Sequence, residues 1–76
     1  MKIIVTGGSG FIGSNVVKYL SKNHEVKIFD FKKPNNLDNE FIQGDITDFQ
    51  HVINSVKDCD VVIHLAGVST NYDPKG

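Results

Sequence analysis

The chain has 76 residues, 39% of them apolar and 22% charged, with a formal net charge of −1. That length leaves room for one small domain, and a single cysteine, Cys59, excludes an internal disulfide staple. Eight Lys and Arg against nine Asp and Glu, with no basic cluster beyond Lys32-Lys33, give no electrostatic footprint for nucleic acid or an anionic membrane.

In chain order, residues 2–6 make a continuous apolar run into Gly7-Gly8, the pattern of a strand buried on both faces and too short for a signal peptide or a membrane span. Ile12, Val16, Val17 and Leu20 then form one stripe of a helix over about residues 11–22, with Asn23 as its expected left-handed cap. Val26, Ile28 and Phe29 mark a second strand over 25–30. The polar stretch 31–39, punctuated by Pro34-Asn35-Asn36, reads as a connection, and 40–43 as a short third strand ending at Gly44. Nine extended residues span up to about 30 Å, enough to return along a strand and start a parallel one without a helix. Thr47 to Gln50 fits a capping box, Thr47 as the N-cap and Gln50 reaching back, ahead of a second helix with Phe49, Val52, Ile53 and Val56 in one stripe. Residues 60–66 predict a fourth buried strand, and 67–76 a loop around Pro74.

The order β-α-β-loop-β-α-β predicts an α/β fold: a Rossmann-like parallel sheet of strand order 3-2-1-4, the opening part of a doubly wound domain. Residues 1–76 are therefore expected to be the N-terminal, dinucleotide-binding segment of a longer Rossmann domain, with no second domain in the chain.

Thr6-Gly7-Gly8-Ser9-Gly10-Phe11-Ile12-Gly13 stands where the first strand becomes the first helix, and it satisfies Gly-x-x-Gly-x-x-Gly from Gly7. Such a turn needs a glycine for the tight bend, one where backbone approaches a pyrophosphate, and one where helix and strand pack closely; Gly7, Gly10 and Gly13 take those roles. Amides around Gly10 to Ile12 would then point at the diphosphate, helped by the positive end of the helix. Gly8 to Gly13 also has the glycine spacing of a mononucleotide P-loop, but Ser14-Asn15 stand where that loop needs Lys and then Ser or Thr. Asp30 ends the second strand, 17 residues beyond Gly13, about where an acid meets the adenosine ribose. Its charge opposes a 2′-phosphate and favours NAD. Lys32 and Lys33, which follow at once, would hold that phosphate, so NADP stands as the alternative. Asp45 ends the third strand and Leu65-Ala66-Gly67 the fourth, at the carboxyl edge where open α/β sheets bind ligands.

TGGSGFIGSN at residues 6–15, FD at 29–30, GDITD at 44–48 and VVIHLAG at 61–67 together resemble the N-terminal part of the extended short-chain dehydrogenases/reductases, the NAD-dependent epimerases and dehydratases of nucleotide sugars. The resemblance implies that Gly7, Gly10, Phe11, Ile12 and Gly13 line the pyrophosphate and that Asp30 meets the adenosine ribose. It further implies that Asp45 and Ile46 meet the adenine, and that Leu65, Ala66 and Gly67 run beside the cofactor toward the nicotinamide. Gly67 stands where the family often has a second alanine.

Family catalysis resembles alcohol oxidation by a Tyr-x-x-x-Lys pair with a nearby Ser or Thr. Tyr72 and Lys75 are one residue short of that spacing, with Pro74 between them. No catalytic residue is therefore assigned, and the chain alone is expected to bind NAD without turnover. A nucleotide-sugar substrate is expected only for a longer parent protein. The rival readings are a non-catalytic NAD(P)-binding sensor or scaffold of the same fold and a free-standing nucleotide-binding module. His24, His51 and His64 are too scattered for a metal-ligand set, and His64 reads as a structural strand histidine. Cys59, without a neighbouring base, reads as an inert thiol in a reducing, cytoplasmic setting. The uncovered edge of the fourth strand predicts self-association.

Overall fold

Four of the five residues in β1 (Lys2–Thr6) are buried, because this strand is hydrogen-bonded along both edges and covered on both faces. The computed structural model describes residues 1–65. After β1 come α1 (Phe11–Leu20), β2 (Glu25–Asp30), β3 (Glu40–Gln43), α2 (Phe49–Val56) and β4 (Val61–His64). All four strands run parallel in the order β3-β2-β1-β4, as expected of a Rossmann-like sheet. Ile4 pairs with Lys27 on one side and with Val62 on the other, and Ile28 with Phe41. The 67–76 loop, with Tyr72 and Lys75, lies outside the described residues, as do Ala66 and Gly67.

Side chains alternate between the two faces of the sheet. On one face Ile3, Val5, Val26 and Ile28 close around Val17 of α1, with Leu20, Leu37, Phe41, Val61, Ile63 and Leu65 packed at the margin. On the other, Phe29 meets His51 of α2 edge to face, ring centroids 5.2 Å apart. The β1-to-β2 connection, which carries α1, moves to one side of β1, and the β3-to-β4 connection, which carries α2, crosses to the other. Right-handed crossovers therefore put α1 and α2 on opposite faces.

Several local expectations are corrected. α1 ends at Leu20, and Asn23 is not left-handed: among the described residues no non-glycine residue has a positive φ. The helix tail closes instead by right-handed turns, with the amides of Asn23 and His24 both donating to the carbonyl of Leu20. α2 is capped by Asp48, whose carboxylate accepts from the amide of His51 at 3.2 Å. Thr47 is engaged elsewhere, its amide and hydroxyl both donating to Asp45, and Gln50 donates to Asn54. β4 is half-exposed rather than buried on both faces, with Val62 49% accessible. Nor are the helix stripes wholly interior, since Ile12, Phe49 and Ile53 are exposed. Only one face of β4 meets the core around α1, and α2 is short and set beside Phe29 rather than over the whole sheet.

Lys27 is the unexpected core residue, 6% exposed in the middle of β2. Its ammonium group lies 3.2 Å from Oδ1 of Asp58 and 3.6 Å from Glu40, and donates to the carbonyl of Ser55 at 3.2 Å. Burial pulls its pKa down, yet the hydrogen bond with Asp58 and the neighbouring negative charges prevail and raise it above the ordinary 10.5. Asp58 also holds Lys2 at 2.7 Å, and these two lysines keep its carboxyl well below the usual carboxylate range. Where the folded state lowers a carboxyl pKa, the stabilisation is present above the unfolded value of 3.8 and lost as pH falls below it. Resistance to urea is thus expected to hold steady from about pH 7 to pH 5 and to decline below about pH 4. Asp58→Asn should lower the urea midpoint at pH 7 and flatten the acid decline, leaving the part due to Asp45, whose pKa its bonds to Thr47 also lower.

A second test concerns Gly13, where an added Cβ would stand 2.1 Å from the carbonyl oxygen of Gly7 and 2.8 Å from Cα of Gly8. Alanine is about 1 kcal/mol better than glycine in a helix interior, but overpacking against backbone costs about 1–3 kcal/mol or more. Gly13→Ala is expected to lower stability in urea titrations. Gly10→Ala, whose Cβ would meet only the Gly7 oxygen at 3.7 Å, should leave stability nearly unchanged.

Candidate functional site

The carboxyl ends of the strands bring three of the sequence motifs together. After Thr6 the chain bends through Gly7, the only described residue with φ in the left-handed region, at 79°. That conformation suits glycine because it has no Cβ to clash. The bend is anchored by the Gly7 amide, which donates to the carbonyl of Phe29 at 2.9 Å. Gly10 begins α1 in an extended conformation and offers no side-chain cap, and the first turn of α1 carries no acidic residue. Among the described residues the amides of Phe11, Ile12 and Gly13 have no protein acceptor, and they stand at the positive end of the helix.

Among the described residues, none fills the space next to Gly10. Among the described residues a Cβ there would touch only the Gly7 oxygen, so the want of a side chain leaves the approach to the helix amides open. The three glycines of the motif thus do three different things: Gly7 bends, Gly10 leaves space and Gly13 permits contact. Gly8 also packs tightly, since its Cβ would come within 2.9 Å of Ile28.

Asp30 sits at the end of β2 with its carboxylate directed at the glycine turn. Oδ2 accepts from the amide of Ser9 at 3.0 Å, and Oδ1 from the amide of Lys32 at 3.3 Å. A carboxylate has about four acceptor positions, so capacity remains for hydroxyl donors. Gly7, Phe29, Asp30, Phe31, Gly44, Asp45 and Ile46 together line a cleft of about 210 Å³. Asp45 is turned back on its own loop by Thr47, with bonds of 2.9 Å to the amide and 2.8 Å to the hydroxyl. Ile46 contributes a half-buried apolar wall. The site thus offers unpaired amides, one partly engaged carboxylate and an apolar-walled cleft beside it, which suit an anionic group, a polyhydroxyl group and a flat ring in that order.

Leu65 hydrogen-bonds to Thr6 through its amide and packs at the margin of the core. Ala66 and Gly67 lie outside the described residues. His64 pairs its Nδ1 with the Thr6 hydroxyl at 2.7 Å, which ties β4 to β1 just below the glycine turn. Burial pushes the Cys59 thiol pKa up, away from nucleophilic use. Reasoning from sequence missed Ser9 and Phe31. Ser9 stands between two glycines with no mark in the sequence of its bonds to Asp30 and Lys32; the sequence signal for Phe31 is an aromatic directly after a strand-end acid, and the side chain is 71% exposed.

Residues 3–73 match the sequence model of the NAD dependent epimerase/dehydratase family. A low-salt glycan biosynthesis protein of Haloferax volcanii is 35% identical over 82 residues, covering 91% of this chain and 26% of the relative. UDP-N-acetylglucosamine 4-epimerase from Bacillus cereus superposes with a TM-score of 0.78 at 32% identity, over 100% of this chain and 26% of that one. Uronate dehydrogenase from Agrobacterium tumefaciens, solved as a mutant in complex with NAD, gives 0.77 at 27% identity, over 97% of this chain and 29% of that one. The chain therefore spans about a quarter of the length of these relatives. With a family match across nearly all of its length and the glycine turn, strand-end acid and sheet order described above, the chain belongs to the NAD-dependent epimerase/dehydratase family.

Proposed function

We propose that the chain binds NAD and forms the amino-terminal part of the cofactor site of a nucleotide-sugar epimerase, dehydratase or reductase. The observation that carries this reading is the convergence of unpaired helix amides, the open space at Gly10 and the Asp30 carboxylate at one edge of the sheet. Gly7, Gly10, Phe11, Ile12 and Gly13 would surround the pyrophosphate, with amides supplying the hydrogen bonds and the helix end a favourable potential. Asp30 would accept from the adenosine ribose hydroxyls. The adenine would enter the cleft bounded by Asp45 and Ile46, and Leu65, Ala66 and Gly67 would continue toward the nicotinamide.

When bound, the nicotinamide supplies hydride acceptance and return. The residues named here act by binding and orientation. None of the described residues is assigned to move the substrate proton, and in this reading that role falls to a tyrosine–lysine pair elsewhere in a longer protein. The nucleotide sugar is proposed as substrate by analogy with the relatives, two of which are named for glycan biosynthesis and for a UDP-sugar epimerase.

Two unit charges about 4 Å apart at an effective dielectric near 20 repel by about 4 kcal/mol before salt screening, so about a tenfold preference for NAD over NADP is a modest demand on Asp30. Calorimetric titration with both cofactors is expected to show it, and Asp30→Asn to narrow it. Equal or tighter binding of NADP by the parent chain would mean that Lys32 or Lys33 outweighs Asp30. Gly10→Val is expected to weaken NAD binding more than tenfold with an unchanged circular dichroism spectrum, because its side chain would fill the space over the helix amides. Parental affinity in this variant would overturn the placement of the pyrophosphate.

A further inference from the structure

The turn that follows Asp30 is tied down from two sides. The hydroxyl of Ser9 donates to the carbonyl of Lys32 at 2.5 Å, while the Ser9 amide donates to Asp30. From β3, the side-chain amide of Gln43 donates to the carbonyl of Phe31 at 3.2 Å. The Lys32 amide closes the arrangement by donating to the other Asp30 oxygen. Asp30, Ser9 and Lys32 therefore form a ring of three hydrogen bonds linking the glycine turn to the start of the 31–39 connection. Among the described residues neither Lys32 nor Lys33 takes part in an ion pair, so no carboxylate fixes their ammonium groups.

We propose that Ser9 and Gln43 are positioning residues that set cofactor selectivity, by clamping the backbone of Phe31 and Lys32 so that Asp30, and not Lys32 or Lys33, faces the 2′ position of the adenosine ribose. The inference rests on the proposed NAD site and deepens it. While the clamp holds, the Ser9 and Lys32 amides orient the carboxylate toward the ribose. Without the Ser9 hydroxyl, the Lys32 carbonyl loses its donor and the turn can rearrange. Two lysines adjacent to the carboxylate then come within reach of a 2′-phosphate, which attracts them and drives the rearrangement. A residue that merely supported the fold would change the affinity for both cofactors by the same factor; a clamp changes their ratio.

The test is calorimetric titration of NAD and NADP into the parent chain, Ser9→Ala, Ser9→Thr and Gln43→Leu, with amide hydrogen exchange on the cofactor-free proteins. Ser9→Ala and Gln43→Leu are expected to reduce the NAD-over-NADP affinity ratio about fivefold to tenfold, the factor associated with one lost hydrogen bond. Ser9→Thr, which keeps the hydroxyl, should retain the parental ratio. In Ser9→Ala the Lys32 amide should exchange faster before any cofactor is added. Should one variant fail to fold, the other reads the same clamp from its opposite side. Unchanged ratios in the folded variants, or a Ser9→Thr that behaves like Ser9→Ala, would overturn the clamp while leaving the NAD site standing. Failure of the parent chain to bind either cofactor would overturn the site and the clamp together.

Discussion

Between Gly7 and Gly13 the end of β1 and the first turn of α1 meet backbone to backbone, with no room for a methyl group between them. That contact determines where the helix starts and how it lies on the sheet. Four residues beyond Gly13, Val17 is fully buried among Ile3, Val5, Val26 and Ile28. At the same point the amides of the first helical turn are left at the sheet edge, beside the acid that ends β2. A larger residue at position 13 would push these amides outward and loosen Val17 together, so the core and the candidate site share one steric condition.

The two ends of the sheet differ in chemistry. At the amino end, charged groups are consumed by one another: Lys27 and Lys2 by Asp58, and the backbone of Lys2 by Asp60, whose carboxylate accepts at 2.8 Å and whose amide donates at 2.7 Å, while the buried Nδ1 of His24 has no partner among the described residues. The carboxyl end keeps capacity in reserve, in the amides of Phe11, Ile12 and Gly13 and the remaining acceptor positions of Asp30. Such a division is what a binding fold requires, since a donor already satisfied within the protein contributes little to a ligand. Lys27 is the clearest case of a buried charge kept tolerable by partners, with two carboxylates and a carbonyl around one ammonium group.

Element order, strand pairing and the β2 and β3 boundaries were legible because apolar runs and glycine punctuation depend on local sequence. So were the separate duties of Gly7 and Gly13, which follow from what a strand-to-helix turn must accommodate. Caps were misread where two residues could serve: Thr47 and Asp48 both fit an N-cap, and only the pull of Asp45 on Thr47 decides between them. Lys27 was invisible because its partners, Glu40 and Asp58, lie 13 and 31 residues away in sequence. The exposure of Ile12, Phe49 and Ile53 was equally hidden, since a periodic stripe identifies a helix face without saying how much sheet lies opposite it. Ser9 resisted recognition for another reason: its importance lies in a bond to a backbone carbonyl, which leaves no mark on the identity of the partner.

The strand order carries a consequence for how the chain assembles. Of the four described strands β1 is made first and lies in the interior of their order, but its β4 neighbour is made last of the four, with Ile3 opposite Val61. Its other neighbour, β2, is available much sooner, so the β1-α1-β2 unit can collapse around Val17 while the remainder is still unformed. During ribosomal synthesis β1 therefore waits with one edge unsatisfied until nearly the whole of this segment has emerged. Joining such distant partners requires closing a long loop before any contact repays it, which slows folding and prolongs exposure of a pairing edge. Early formation of the Gly7–Gly13 contact would cover one face of β1 with α1 during that interval, leaving only the edge open.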